Sequence, residues 1–193
     1  MKKIWKDIKL NFLTLILLGL MFPLLIWVIG LIFPSQSNGL PIYKDGKLIG
    51  FENIGQKFTS AKYFCGRPSA VDYNAAATGG SNMGPTNPQF LSDVEKRIGE
   101  FMKRNPDIKK EQIPSDLVTA SGSGIDPDIS VQGAFVQIPR VAKARKINQE
   151  ELKKLVNENI GRPLLGLFGP EHVNVLKLNL ALDNFRGNLW IRK

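Results

Sequence analysis

The chain has 193 residues with one cysteine and one histidine, so an internal disulfide and a Cys/His zinc cluster are both excluded. Its formal net charge is +9, and the 26 basic residues are spread along the chain. A nucleic-acid surface would cluster them on one element with aromatics between, so we expect no nucleic-acid partner.

Residues 10–33 form an apolar run without a single charge, LNFLTLILLGLMFPLLIWVIGLIF. A helix of about 20 apolar residues crosses the hydrocarbon core of a bilayer, so we predict a transmembrane helix here, with membrane lipid as a partner. Only Asn11 and Thr14 interrupt the run, which argues against a buried core helix. No small-residue cleavage site follows it, which argues against a signal peptide. Pro23 predicts a kink within the span.

Charges beside the span predict its orientation. The leader, residues 1–9, holds four lysines against Asp7 alone, and positive charge close to a span stays in the cytoplasm. We therefore predict a single-pass protein of the inner or plasma membrane with a cytoplasmic N-terminus. A linker over residues 34–40 then leads to an extracytoplasmic domain over residues 41–193.

The first part of this domain contains a hairpin and a long irregular segment. The sequence IYKDGKLIG predicts two short strands joined by a tight turn at Asp45 and Gly46. From Tyr63 to Pro88 the chain is rich in Gly, Asn, Ser, Ala and Pro and shows no periodicity. Such a long connection is either a packed functional loop or an ordinary surface loop.

A helix is predicted next, because Asn87 suits an N-cap and apolar residues recur at helical spacing until Asn105. The apolar face of this helix is expected to be core. A second turn-rich segment follows at residues 113–130. It lacks the G-x-S-x-G pattern of a serine nucleophile and the glycine-rich pattern of a phosphate loop, so it reads as a packed turn whose Ser130 caps another helix.

That helix is expected to bend or restart at Pro139, and basic residues follow at once. Arg140, Lys143 and Arg145 are either the polar face of a short helix or a site for phosphate or an acidic partner. Both interpretations stay open at this point.

The last predicted helix begins after Asn148 and ends at Gly161. Leucines at alternate positions over residues 176–182 then predict a half-buried strand. His172 has no partner at ligand spacing, so neither a metal nor a catalytic role is expected for it. Together these elements predict an α+β fold, in which one N-terminal transmembrane helix precedes a mixed α/β domain with short strands and about three to four helices.

Four segments, in order, resemble the C subunit of the bacterial Kdp potassium-transporting ATPase. They are YFCGRPSAVDYNAAATGGSN, VTASGSGIDPDIS, QIPRVAKAR and HVNVLKLNLAL. An N-terminal anchor precedes these segments, as it does in that family. In this order the resemblance covers most of the chain.

The resemblance implies a non-catalytic accessory subunit of an ATP-driven, high-affinity potassium importer. Its implied partners are a channel-like potassium-binding subunit, a P-type ATPase subunit that hydrolyses ATP and a very small membrane subunit. The implied role is to stabilise the assembly and to act as a catalytic chaperone that raises the ATP affinity of the pump subunit. No cofactor is expected to bind tightly, and ATP enters through the pump subunit.

An extracytoplasmic domain does not meet cytoplasmic ATP, so two hypotheses follow. In the first, the domain is a scaffold or gate on the channel-like subunit with no nucleotide role, and the turn-rich segments contact the transporter. The residues expected at this partner interface are Arg67, Ser69, Tyr73, Asn74, Gly79, Gly80, Ser81, Asn82, Ser121, Ser123, Asp126 and Pro127. In the second, Arg140, Lys143 and Arg145 form a weak phosphate contact.

Overall fold

The computed structural model describes residues 2–163 and 165–187. The chain forms two compact units, Met1–Ile49 and Gly50–Lys193. The first elements along the chain are α1 (Lys2–Ile16), a π-helical turn (Leu17–Met21), α2 (Phe22–Ile32), α3 (Pro34–Ser37), β1 (Pro41–Lys44) and β2 (Lys47–Phe51). The later elements are α4 (Pro88–Arg104), β3 (Asp128–Ser130), α5 (Val131–Phe135), α6 (Ile138–Arg145), α7 (Gln149–Glu158), β4 (Ile160–Gly161), β5 (His172–Asn174) and α8 (Val175–Gly187).

One helix among the described residues is long enough and apolar enough to cross a membrane. It is the continuous helix Lys3–Ile32, with a mean hydropathy of 2.8 and no buried side chain in its most apolar window. Its 30 residues correspond to a length of about 45 Å at 1.5 Å per residue. The predicted span at residues 10–33 lies within this helix except for its last residue, and the helix begins seven residues earlier, at Lys3.

The helix accommodates its proline and its two polar side chains locally. The π-helical turn Leu17–Met21 ends two residues before Pro23, which offers no N–H to continue the regular hydrogen-bond pattern. Asn11 donates to the carbonyl of Asp7 and Thr14 to that of Leu10, both at 2.9 Å. These bonds satisfy polar groups that lipid would leave unpaired.

The predicted hairpin is confirmed. Strands β1 and β2 pair in a two-stranded sheet, and the turn between them places Asp45 at φ 51° and Gly46 at φ 74°. Two consecutive positive φ angles are the geometry that a tight hairpin turn requires.

The core of the second unit lies between a small sheet and four helices. The sheet has the strand order β3-β5-β4, and Val173 at its centre faces Ile129 on one side and Ile160 on the other, with antiparallel pairing throughout. Helices α5 and α8 contact this sheet, and α7 contacts α5, α6 and α8. The buried side chains of this core are Phe64, Leu117, Ile129, Ala134, Val136, Ile138, Val141, Ala142, Leu152, Leu155, Val156, Val173, Val175, Leu178 and Leu182.

The predicted helix caps are confirmed at three helices. The Asn87 side chain accepts from the backbone N–H groups of residues 89 and 90, Ser130 Oγ accepts from that of Gly133, and Asn148 Oδ1 from that of Glu150. The chain also restarts at Pro139, because α5 ends at Phe135 and α6 begins at Ile138.

The strand predicted over residues 176–182 is wrong, because this segment lies in helix α8 (Val175–Gly187). In the helix Val175, Leu178 and Leu182 point into the core at the i, i+3, i+7 spacing of one helical face. Leucine has a high helix propensity, and only the alternate spacing of these leucines resembled a strand. Among the described residues the second unit therefore has five α-helices, α4 to α8, where about three to four were predicted.

Two further expectations differ from the structure. Helix α7 ends at Glu158, and Gly161 lies in β4, where a Cβ atom would be only 2.7 Å from Nε2 of His172. This glycine is required by close packing and not by a helix end. Helix α4 has no fully buried residue, so its apolar face lies at the edge of the core, which Phe101 contacts.

Candidate functional site

Two buried amide side chains hold the start of the first turn-rich segment. Asn179 binds both backbone groups of Phe64, accepting from its N–H at 2.9 Å and donating to its carbonyl at 3.0 Å. Gln137 does the same to Cys65, at 2.8 and 3.1 Å. Both amides are at most 2% exposed. They take the place of a neighbouring strand and fix the direction in which the next loop leaves the core.

Arg140 fills the space behind this segment. Its guanidinium donates to the carbonyls of Ala61 and Tyr63 at 2.8 and 3.0 Å, to Asn105 Oδ1 at 2.9 Å and to Gln137 Oε1 at 2.7 Å. Burial lowers the pKa of this guanidinium below its usual value. The nearby Cys65 acts in the opposite direction and raises the pKa, while the positive charge of Arg104 lowers it further. The group remains a cation whose donors are used inside the protein.

Arg145 holds the same segment from the other side. It donates to the carbonyl of Lys62 and to Asp183 Oδ1, both at 2.7 Å, and its guanidinium lies 4.6 Å from the centre of the Tyr63 ring. Of the three basic residues predicted to contact phosphate, only Lys143 is exposed to solvent. The phosphate contact stays a prediction, and the structure adds that both arginines position residues 61–65.

The two turn-rich segments lie side by side. We call residues 66–82 the first loop and residues 121–127 the second loop. Arg67 Nη1 lies 3.0 Å from Asp126 Oδ2, the Ser121 N–H donates to the Pro68 carbonyl at 3.1 Å, and the Gly79 N–H donates to the Ser123 carbonyl at 2.8 Å. One ion pair and two backbone hydrogen bonds therefore join residues that are more than 40 positions apart in sequence.

The first loop is held in a strained conformation by its own side chains. Asp72 and Tyr73 have φ angles of 52° and 61°, which side-chain-bearing residues rarely adopt. Ser69 Oγ accepts from the N–H groups of Val71 and Tyr73, and the Tyr73 hydroxyl donates to the Arg67 carbonyl. Burial raises the pKa of the Tyr73 phenol to about 12, and nearby negative charge at Cys65, Asp126 and Asp72 adds to the effect.

The second loop is equally fixed. Ser121 Oγ accepts from the Gly124 N–H at 3.0 Å, Ser123 Oγ from the Ile125 N–H at 3.2 Å, and Asp126 Oδ1 from the Asp128 N–H at 3.0 Å. Gly124 has a φ of 73°, and a Cβ atom there would meet the side chain of Val71 and the carbonyl of Gly79. The hydroxyls of this segment therefore close turns.

The two loops bring most of the predicted interface residues together, but Ser121 is only 2% exposed and lies beneath the surface. The two loops bring Arg67 against Asp126 and the Gly79–Gly80 pair against residues 122–124. Asn74, Asn82 and Ser123 are exposed, whereas Ser81 is half-buried. The Pro127 carbonyl instead accepts from the N–H of Val175, which ties the second loop to α8.

A cavity of about 320 Å³ lies between the first loop and α4. Its walls include Cys65, Arg67, Tyr73, Arg97 and Arg104. Arg104 donates to the Thr59 carbonyl and to the Cys65 sulfur, both at 3.0 Å. The thiol thus lies beside cations.

His172 lies elsewhere, with Nε2 4.0 Å from Asp128 Oδ2. Burial raises the pKa of the Asp128 carboxyl, and the charge of His172 opposes this. Within residues 2–163 and 165–187, no three His, Cys, Asp or Glu side chains lie close enough to hold a metal ion.

Comparison with known proteins identifies the family to which the chain belongs. The family model described as "KdpC: K+-transporting ATPase, c chain" matches residues 4–184, which include the anchor helix and both loops. The chain belongs to the KdpC family.

Relatives of this family align over nearly their whole length. A potassium-transporting ATPase KdpC subunit from Caldanaerobacter subterraneus is 50% identical over 182 residues, which are 94% of each chain. The KdpC subunit of Flavobacterium psychrophilum is 48% identical over 186 residues, covering 96% of this chain and all of the relative. That of Bacillus cereus is 45% identical over 178 residues, covering 91% and 92%. The predicted resemblance to this family is confirmed.

The structure also contains contacts that the sequence did not indicate. Gln137 and Asn179 belong to the predicted segments QIPRVAKAR and HVNVLKLNLAL, but nothing local marks them as buried. A polar residue in the middle of an otherwise apolar helical face was the available signal, since such residues are buried only with partners. Arg140 and Arg145 were predicted to form either a polar helix face or a phosphate site, whereas both are buried and donate to backbone carbonyls of a distant segment.

Proposed function

We propose that this chain is a non-catalytic, membrane-anchored scaffold subunit whose first and second loops dock on another subunit of the potassium-transporting ATPase. The observation that carries the proposal is the fixed geometry of the paired loops. Three kinds of contact hold them: hydrogen bonds from buried amides, an ion pair, and turns closed by side chains. These contacts keep residues of the first loop at positive φ angles. Strain of this kind persists where function requires a set shape, and a preorganised surface loses little entropy on binding.

The proposed partners are a channel-like potassium-binding subunit, a P-type ATPase subunit and a small membrane subunit. The channel-like subunit is the proposed contact of the loops, because the basic leader argues for a cytoplasmic N-terminus and an extracytoplasmic second unit. A single-pass position in the inner or plasma membrane is part of the same proposal. A cysteine introduced at Asp45 in a Cys65→Ser chain should react with an impermeant thiol reagent in intact cells. Protection until the cells are broken would contradict this orientation.

A catalytic chaperone function, in which the subunit raises the ATP affinity of the pump subunit, is the finer proposal that the resemblance supports. In an extracytoplasmic unit it operates by coupling through the assembled complex, without direct nucleotide contact. The observation that favours indirect action is that Arg140 and Arg145 are 8% and 6% exposed and donate to protein acceptors.

Nucleotide labelling separates the direct and indirect forms of this role. Photoreactive azido-ATP should label the pump subunit of the assembled complex and leave this chain at background, with and without Lys143→Ala. Labelling of this chain that disappears in Lys143→Ala would instead support a phosphate contact at α6.

Co-purification tests the scaffold proposal. Arg67→Ala removes the ion pair to Asp126 and leaves only the backbone hydrogen bonds between the two loops, so fewer partner subunits should remain bound to a tagged full-length chain. Lys110→Ala is the matched control, because it breaks an exposed ion pair of the same length, 3.0 Å, with Glu95 on α4. Equal retention of partners by both variants and by the unaltered chain would reject the proposal.

A further inference from the structure

The paired loops carry a surface without charge in a chain that is otherwise rich in charge. Charged residues make up 22% of the whole sequence, yet residues 73–92 and 117–125 contain none. Within the two loops, the exposed residues of these stretches are 74–78, 82, 122 and 123. We call these exposed residues the charge-free face. Surfaces that face only water normally carry Lys, Glu, Arg and Asp.

The two carboxylates within the paired loops are each bound to a cation. Asp72 is paired with Lys57 at 2.6 Å, and Asp126 is paired with Arg67 at 3.0 Å. Each pair joins groups of opposite sign, so its field falls off quickly with distance. The charge-free face is therefore neutral in its own residues, and the carboxylates of the same two loops are compensated.

The charge-free face also has small side chains and a fixed backbone. Its centre is a run of three alanines between Asn74 and Thr78, followed by Gly79 and Gly80. Successive turns hold it: the Asn74 N–H donates to the Val71 carbonyl, and the Ala77 N–H donates to the Asn74 carbonyl, both at 3.1 Å. Such small side chains leave the main chain close to the surface, within reach of a partner's polar groups.

We propose that the charge-free face docks on an uncharged protein surface of another subunit, through close main-chain approach. This inference rests on the scaffold function proposed above and specifies the chemistry of its contact. Charged residues are depleted at the cores of protein interfaces, and burying an unpaired charge is unfavourable. A neutral face of this size therefore fits a neutral partner, and the contact is insensitive to ionic strength.

The test measures how much of the other subunits a tagged full-length chain retains after washing in about 0.1 M and about 1 M sodium chloride, where the Debye length falls from about 10 Å to about 3 Å. The unaltered chain should retain its partners equally at both. Ala75→Asp and Ala75→Lys should each lower retention about tenfold or more, since either charge is buried without a partner. Ala75→Ser should retain them.

Position 157 provides the matched control. Asn157 is exposed on α7, outside the charge-free face, so Asn157→Asp and Asn157→Lys should leave retention unchanged. The anchor helix is identical in every variant, which means that differences in retention report the folded second unit.

Each other outcome overturns the inference in a distinguishable way. If the unaltered chain retains no partner at either salt concentration, the scaffold function and the inference both fail. If partners are lost at high salt, or if Asp and Lys at position 75 act in opposite directions, the contact is electrostatic and only the inference fails. Full retention by both charged variants also rejects it alone. If the unaltered chain retains a second copy of itself through this face in place of the other subunits, the assigned partner is wrong.

Discussion

Replacing Gln137 with leucine tests how the first loop is held. The Gln137 side chain is 0% exposed and makes four hydrogen bonds: two with the backbone of Cys65, one with Arg140 and one with the Gly133 carbonyl. Leucine preserves much of the volume and removes every bond. The N–H and carbonyl of Cys65 and one Arg140 donor then lose an internal partner.

The expected loss of stability is large compared with the total. A polar group left unsatisfied in the interior costs about 1–3 kcal/mol, so three such groups with partial access to water give about 3–5 kcal/mol. A domain of this size is stable by about 5–15 kcal/mol. At about 2–4 °C per kcal/mol, the melting temperature should fall by about 10 °C.

Unfolding of the full-length chain in detergent micelles by urea, followed by circular dichroism, measures this loss, because the anchor helix stays folded in detergent and the change in signal reports the second unit. Gln132→Leu is the control, since Gln132 is exposed on the neighbouring helix α5. A loss below about 1 kcal/mol for Gln137→Leu, or an equal loss in both variants, would refute the reasoning that this amide holds the loop.

Three other predictions follow from burial and geometry. Leu178→Ala should destabilise the fold by about 2–5 kcal/mol and Leu180→Ala by much less, because, of these two leucines, only Leu178 is fully buried. Equal losses in urea unfolding would favour a strand. Gly124→Ala should cost about 2 kcal/mol and Gly122→Ala little, because only Gly124 has a positive φ and lacks room for a Cβ; similar costs would contradict the loop packing. Tyr73 should ionise near pH 12 in an ultraviolet titration, and Tyr73→Phe should remove that step. Since the fold favours the neutral phenol, its contribution to stability is complete below about pH 10 and is lost as the pH rises through about 12; a transition near pH 10 would be contrary evidence.

Local features of the fold could be predicted from the sequence because a few adjacent residues determine them. The caps Asn87, Ser130 and Asn148 each bond to N–H groups two or three residues away. The hairpin turn at Asp45 and Gly46 depends on the same short range. For such features the residue type and its immediate neighbours hold nearly all of the information.

The error at α8 has a different origin. Leucines at alternate positions satisfy the period of a strand, while Val175, Leu178, Leu182 and Phe185 satisfy that of a helix, so one segment carries both patterns. Packing against α7 and β5 decides between them, and this information lies in other parts of the chain.

The interior of the site could not be predicted for the same reason. Arg140 finds its acceptor at Ala61 and Arg145 finds its acceptor at Lys62, 79 and 83 residues away. A basic cluster in sequence is equally compatible with solvent, with phosphate and with buried carbonyls. The family motifs placed the predicted interface residues in the two loops, and the hydrogen bonds show how these loops are held.

Crosslinking in intact membranes tests the central claim most directly. A photoreactive amino acid at Asn74, in the middle of the charge-free face, should crosslink this chain to another subunit of the potassium-transporting ATPase. The same group at Asn157 should not. Absence of a crosslink at Asn74, or equal crosslinking from both positions, would contradict the account in which the paired loops form the docking surface.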